Sequence, residues 1–161
     1  MTDATIGFEH HDHGGCMRAA VDRVEARCAR DGLQLTPVRR RVLEVLLEGH
    51  RAMGAYEVLD VLREEGLGSQ PPVAYRALDF LVKHGFAHRI ERLNAFVACV
   101  NAKAGHAPAF LICRLCKRVA EAEADQDVLA RSARAAGFVI EAAMVEIEGL
   151  CPACCTDGVP A

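Results

Sequence analysis

Two C-x-x-C pairs, Cys113/Cys116 and Cys151/Cys154, carry the clearest chemistry in the chain. A two-residue gap lets both thiolates of a pair reach one ion, and two such pairs fill a zinc tetrahedron at about 2.3 Å per Zn–S bond. A filled shell leaves no position for water or substrate. The pairs therefore predict a structural zinc site that contributes folding energy. Disulfide pairing is the competing reading. The chain opens with acidic and histidine residues rather than the basic-then-apolar order of an export leader, so reduced thiols are expected. Cys155 is left as a spare thiol by the register of the last pair. A second donor set remains in His88, Cys99, His106 and Glu121, whose imidazole, thiolate and carboxylate groups suit zinc. Unlike the four cysteines, these residues are spread over several segments, and a metal held by all of them would fix the angle between domains. His10, His11, His13 and Cys16 lie among few apolar groups, read as a solvated tail, and receive no site.

The elements that must position these groups follow from periodicity. Residues 17–30 repeat apolar groups at helical spacing, with Cys28 on the buried stripe and Asp31-Gly32 as a stop. Thr36 caps a second helix with Pro37 at its first position, running to about residue 48. Its first turn carries Arg39, Arg40 and Arg41 at the positive end of the helix dipole. An anion is expected there; a phosphate would serve, and solvation is the alternative. A third helix spans residues 55–65. A fourth opens at Pro71-Pro72 and runs to about residue 84, burying Val73, Ala74, Ala77, Leu78, Leu81 and Val82. Tyr75, Arg76, Asp79 and Lys83 fall on its other face. Strands over residues 87–92 and 95–100 flank Leu93-Asn94 as a hairpin.

Short helices, a hairpin, and a helix presenting Tyr and Arg outward form the pattern of a winged helix-turn-helix DNA reader. A helical packing domain with a surface hairpin is the alternative. Downstream, residues 108–112 and 118–123 read as strands around the Cys113/Cys116 knuckle, residues 125–136 as a helix, and residues 138–148 as one long strand. That small α+β unit has little interior of its own and would gain by pairing with a second copy. The expected organisation is a tail over residues 1–16, a winged-helix domain over 17–100, a hinge over 101–107, a dimerisation and metal-binding domain over 108–155, and a tail over 156–161.

With 161 residues and a hydrophobic fraction of 52%, the chain can build globular cores. It contains no apolar run near the ~20 residues of a membrane span, and a cytoplasmic location is expected. The formal charge of −3 is weak, so any nucleic-acid footprint must come from clustering.

The motifs Leu35-Thr36-Pro37-Val38-Arg39, Ala55-Tyr56-Glu57-Val58-Leu59-Asp60-Val61-Leu62-Arg63, Pro71 through Leu81, Gly85-Phe86-Ala87-His88-Arg89-Ile90-Glu91 and both C-x-x-C pairs together resemble the ferric-uptake-regulator family of metal-responsive repressors. The likeness spans about residues 17–155 and is nearest to the family's zinc-uptake-regulator branch. It implies an α+β protein with an N-terminal winged helix and a C-terminal dimerisation domain, acting as a homodimeric repressor of zinc-uptake genes on operator DNA. By motif position, the family's structural zinc ligands fall on Cys113, Cys116, Cys151 and Cys154, and its sensor ligands on His88, Cys99, His106 and Glu121. That makes two zinc ions per chain, one structural and one regulatory.

The same resemblance assigns Tyr56 and Arg76 to the DNA groove; Tyr75, on the outward face of the fourth helix, and Arg39, in the first turn of the second, are expected to contact DNA as well. It also gives Asp60 and Arg63 a role in contacts between two dimers on one operator; an ordinary i, i+3 surface pair is the other reading. The iron branch has a histidine where this chain has Ala52, and a thiolate at Cys99 belongs to the zinc branch. Iron, manganese or peroxide sensing by the same fold is therefore the alternative, not the first reading. An enzyme is disfavoured: the zinc-deaminase signature needs H-x-E and P-C-x-x-C, and neither occurs. No small-molecule substrate is expected.

Overall fold

The computed structural model describes residues 13–49, 51–99 and 108–155, and the chain divides into two compact units, one within residues 10–102 and one within residues 103–161. The expected hinge with His106, the first twelve residues of the expected tail and the last six residues lie outside the described residues. No helix among the described residues is long and apolar enough to cross a membrane.

The first unit contains α1 (His13–Asp31), α2 (Pro37–Gly49), α3 (Ala55–Glu64), α4 (Pro71–Lys83), and strands β1 (Ala87–Ile90) and β2 (Ala95–Ala98). Helix α1 starts at His13, so residues 13–16, expected to belong to the tail, are helical; Ala20 is the first buried residue among the described side chains of α1. Thr36 caps α2 through its hydroxyl, which accepts from the Arg39 N–H at 3.3 Å. Helix α3 is secured by Glu57, whose carboxylate accepts from the Gly54 N–H at 2.8 Å. Helix α4 opens on two prolines, tolerated where N–H groups have no intrahelical acceptor. It ends at Gly85, whose φ of +73° supports the Phe86 N–H to Leu81 carbonyl bond at 2.8 Å that closes the last turn. In the turn between α3 and α4, a Cβ on Gly68 would lie 2.7 Å from Val73, so only glycine fits.

Val42, Leu43, Val58, Leu59, Leu62, Leu78, Leu81 and Phe86 form the interior, each with almost no exposed surface. The hairpin is shorter than the sequence pattern predicts: Glu91–Leu93 forms a 3-10 turn and Asn94 takes a left-handed conformation at φ 46°. It is nevertheless anchored, since Met53 and Phe96 exchange both backbone hydrogen bonds at 2.9 and 2.8 Å. This is a three-helix core with α1 added and a small wing.

Glu57 supplies a modest pH dependence. The Gly54 N–H, then the Arg51 guanidinium, hold its carboxyl below the ordinary carboxylate value, against the opposing effect of burial. A lowered folded-state value adds stability above the unfolded-state pKa, and that stability is lost as pH falls through the lowered value. Urea midpoints of the wild-type chain and Glu57→Gln are expected to differ at pH 7 and to draw together as pH falls below the ordinary carboxylate range.

The second unit contains β3 (Pro108–Cys113), β4 (Val119–Glu123), α5 (Gln126–Ala135), β5 (Val145–Gly149) and the short α6 (Pro152–Cys155). The sheet order is β4-β3-β5, with β4 antiparallel and β5 parallel to β3. The long strand expected over residues 138–148 forms only from Val145. Its ladder on β3 begins at the Ala109 and Val145 pair, and residues 138–144 pair with no strand among the described residues. Phe138, Val139, Ile140 and Met144 are exposed, as are Ile147 on β5 and Val128 and Leu129 on α5. The interior is small, made of Ala109, Phe110, Ile112, Val119, Ala120 and two buried cysteines.

Candidate metal centres and nucleic-acid interface

Cys113 is the last residue of β3, and the chain turns back through Lys117, at φ 61°, to enter β4. The Lys117 N–H donates to the Cys113 carbonyl at 3.0 Å, which brings Cys116 round beside Cys113. Cys151 follows β5, and α6 returns Cys154 toward it, its N–H donating to the Cys151 carbonyl at 3.0 Å. The two knuckles meet because β3 and β5 run parallel and end side by side, with the Arg114 N–H donating to the Gly149 carbonyl at 2.9 Å.

The four sulfurs of Cys113, Cys116, Cys151 and Cys154 all lie within 4.8 Å of one another, and Cys116 and Cys151 are 3.6 Å apart. A zinc tetrahedron with bonds of about 2.3 Å has sulfur–sulfur edges of about 3.8 Å, so the donor set fits that ion. All four are free thiols in this arrangement. Burial raises the Cys113 thiol, but the backbone N–H groups of Cys116, Cys151 and Leu115 outweigh it and bring it down to about 6. Cys154 is pushed up to about 12 by its hydrogen bond to Cys151, by burial and by the other sulfurs. A cluster this tight cannot become a set of thiolates without a cation among them. Cys155 points elsewhere, donating to the Leu150 carbonyl at 3.7 Å.

Of the second donor set, His88 sits on β1 opposite Val97 and Cys99 follows β2 two residues beyond Val97. They are thus diagonal neighbours on one face of the hairpin, with donor atoms within 4.8 Å. Cys99 is buried and fixed by its N–H to the Phe86 carbonyl at 2.9 Å. Glu121 is a half-buried residue of β4, opposite Phe110, in the other unit.

The outward face of α4 carries Tyr75, Arg76, Asp79 and Lys83, all exposed. Arg76 makes no ion pair among the described residues. Tyr56, in the first turn of α3, is 64% exposed. Helices α3 and α4 and the hairpin enclose a cleft of about 640 Å³ whose lining includes Tyr56, Tyr75, Asp79, Lys83, Arg89 and Asn94. Arg89 is held across the wing by the Asn94 side-chain carbonyl at 3.0 Å. The part taken by Arg89 and Asn94 could not be read from the sequence, since it depends on the hairpin's fold over α4.

The arginines opening α2 do find anions, and those are the protein's own. Arg40 pairs with Glu25 and Glu44, while Arg41 pairs with Glu44, Glu48 and Glu65. The hydrogen bonds that Arg41 donates to Glu65, then the one to Glu48, raise it far above its ordinary value. Arg39 instead lies 3.9 Å above the Phe80 ring and donates to the Gln34 carbonyl at 2.6 Å, so its guanidinium packs against α4. Asp60 and Arg63 bond each other at 2.9 Å on the exposed side of α3.

The ferric uptake regulator family model matches residues 30–148. The zinc uptake regulation protein of Escherichia coli (strain K12) is 38% identical over 135 residues, which cover 82% of this chain and 79% of that protein. Among solved structures, a zinc uptake regulator complexed with zinc and DNA is 35% identical and covers 88% of this chain and 96% of its own, with a TM-score of 0.82. The structure of holo XcZur is 42% identical, covers 86% and 98%, and has a TM-score of 0.77.

Proposed function

Because the chain belongs to the ferric uptake regulator family, we propose that it is a zinc-responsive transcriptional repressor. It binds operator DNA as a homodimer when zinc occupies a sensor site, and so represses zinc-uptake genes in the cytoplasm. The observation that carries this reading is the His88 and Cys99 pair, a soft donor couple built into the wing of the DNA-reading unit and separate from the four-cysteine centre. We assign the regulatory ion to His88, Cys99, His106 and Glu121, and a permanent ion to Cys113, Cys116, Cys151 and Cys154. Two zinc ions per chain follow. When bound, the regulatory zinc supplies cross-linking alone, with no part in bond chemistry.

Reading falls to α4. Arg76 takes the O6 and N7 of a guanine in a bidentate pair, and Tyr56, Tyr75 and Arg39 position the helix against the groove. The exposed apolar residues of α5 and the segment up to β5 support burial against a second copy. Asp60 and Arg63 can exchange partners with a neighbouring dimer on the same operator, since their pairing within one helix is exposed and worth only ~0.2–0.5 kcal/mol, and the one further bond of Arg63, to the Ser69 carbonyl, is long at 3.4 Å.

The test is DNA retardation across buffered zinc, iron and manganese, with metal counted per chain and a duplex selected from a random-sequence pool by the zinc-loaded protein. A second equivalent of zinc should switch binding on. Cys99→Ser should retain one zinc per chain and need at least about tenfold more free zinc to bind DNA, the loss of a soft ligand from a four-donor set. Linkage requires the DNA to tighten zinc by the factor with which zinc tightens DNA. Switching by iron alone would overturn the proposal.

A further inference from the structure

We infer that Asp79 is a base-specificity residue: its carboxylate accepts a hydrogen bond from the exocyclic amino group of a cytosine or adenine in the major groove, beside the base read by Arg76. This rests on α4 being the reading helix, as proposed above.

Asp79 lies three residues after Arg76 and four after Tyr75, so all three share the outward face of α4. It lines the same cleft as both exposed tyrosines. The other carboxylate there, Glu57, is engaged by the Gly54 N–H at 2.8 Å and by Arg51 at 3.0 Å. Asp79, exposed on its helix, has no hydrogen bond or ion pair among the described residues. Lys83, one turn further on and correctly ordered for an i, i+4 pair, does not take it up.

An unengaged carboxylate on a surface that meets DNA repels phosphate on every sequence alike. Only a base edge that donates can offset that cost. In the major groove the donors are cytosine N4 and adenine N6, whereas guanine and thymine present acceptors that would face the carboxylate unfavourably. Asp79 therefore weakens binding everywhere except where the correct base stands, which is discrimination gained through repulsion as well as attraction. Arg76, a donor only, and Asp79, an acceptor only, would together read neighbouring bases with opposite chemistry.

The experiment uses the full zinc-loaded chain, the duplex selected by the wild-type protein, and an unrelated duplex of equal length. Asp79→Ala is expected to bind the unrelated duplex more tightly and the selected one no better. The ratio of the two affinities should then fall about tenfold, in the range of one good base contact. Selection repeated with Asp79→Ala should lose the preference at one cytosine or adenine position. Asp79→Asn, nearly isosteric, guards against a folding artefact: it should also tighten unrelated binding, with zinc content unchanged. An affinity ratio within about twofold of wild type for both variants, with an unaltered selected sequence, overturns the inference. Arg76→Ala separates the two levels. If it weakens binding to the selected duplex while the Asp79 variants change nothing, only the role of Asp79 fails; if it has no effect either, the assignment of α4 fails with it.

Discussion

Cys113→Ser is expected to yield a chain that retains a folded DNA-reading unit but loses its permanent zinc, its second unit and its ability to dimerise. Cys113 is 1% exposed at the end of β3, and its sulfur accepts the Cys151 N–H at 3.4 Å. Serine shortens that reach and replaces a soft donor with a hard one, leaving three ligands. Structural zinc sites supply about 10–16 kcal/mol of apparent binding free energy, comparable to the whole stability of an ordinary domain. The second unit has little else to draw on. Its interior is a handful of side chains, and α5 contributes no buried residue among its described side chains. Elemental analysis should find at most one zinc per chain, size-exclusion should show monomer or aggregate, and the selected duplex should not be retained. Full zinc content with normal dimerisation would refute the structural assignment.

Arg76→Ala carries the second large effect. The side chain is exposed and unpaired among the described residues, so its removal should leave folding and zinc content unchanged. A bidentate contact to guanine contributes about 1–3 kcal/mol of discrimination, roughly 5- to 150-fold for each half-site. In a homodimer the factors for two half-sites multiply, which takes a nanomolar complex out of the range of a retardation assay. Binding to unrelated DNA at low salt should fall far less, because phosphate contacts survive. Equal losses on selected and unrelated duplexes would make Arg76 a phosphate contact instead.

Much of this was legible in the sequence because the signals are local. Two-residue cysteine spacing needs no tertiary information, and the face of α4 follows from a helical period that puts Leu78 and Leu81 inside and Arg76 outside. Prolines and Gly85 marked the ends of α4 for equally local reasons. The remainder depended on partners distant along the chain. Arg41 finds Glu65, 24 residues away, and Arg39 finds Phe80, so the anion expected at the start of α2 is a set of carboxylates that no helical pattern reveals. The overlong strand is an instructive miss. Alternation in residues 138–148 describes side-chain environment, whereas a strand also needs a neighbouring backbone, and the ladder with β3 runs only from Val145 onward.

The placement of the zinc knuckle at the joined ends of β3 and β5 bears on how the protein comes into being. Synthesis runs from the N-terminus, and domains fold as they emerge. The DNA-reading unit is therefore complete while Cys151 and Cys154, the last ligands, are still to be made. On the proposed function, a single reading head has no dimer partner and half the contacts of the finished molecule, so a newborn chain would be silent on the genome. It would become a repressor only after β5 had docked and the cysteines had captured an ion. The cell's zinc would then be consulted twice, once in building the molecule and again each time it acts.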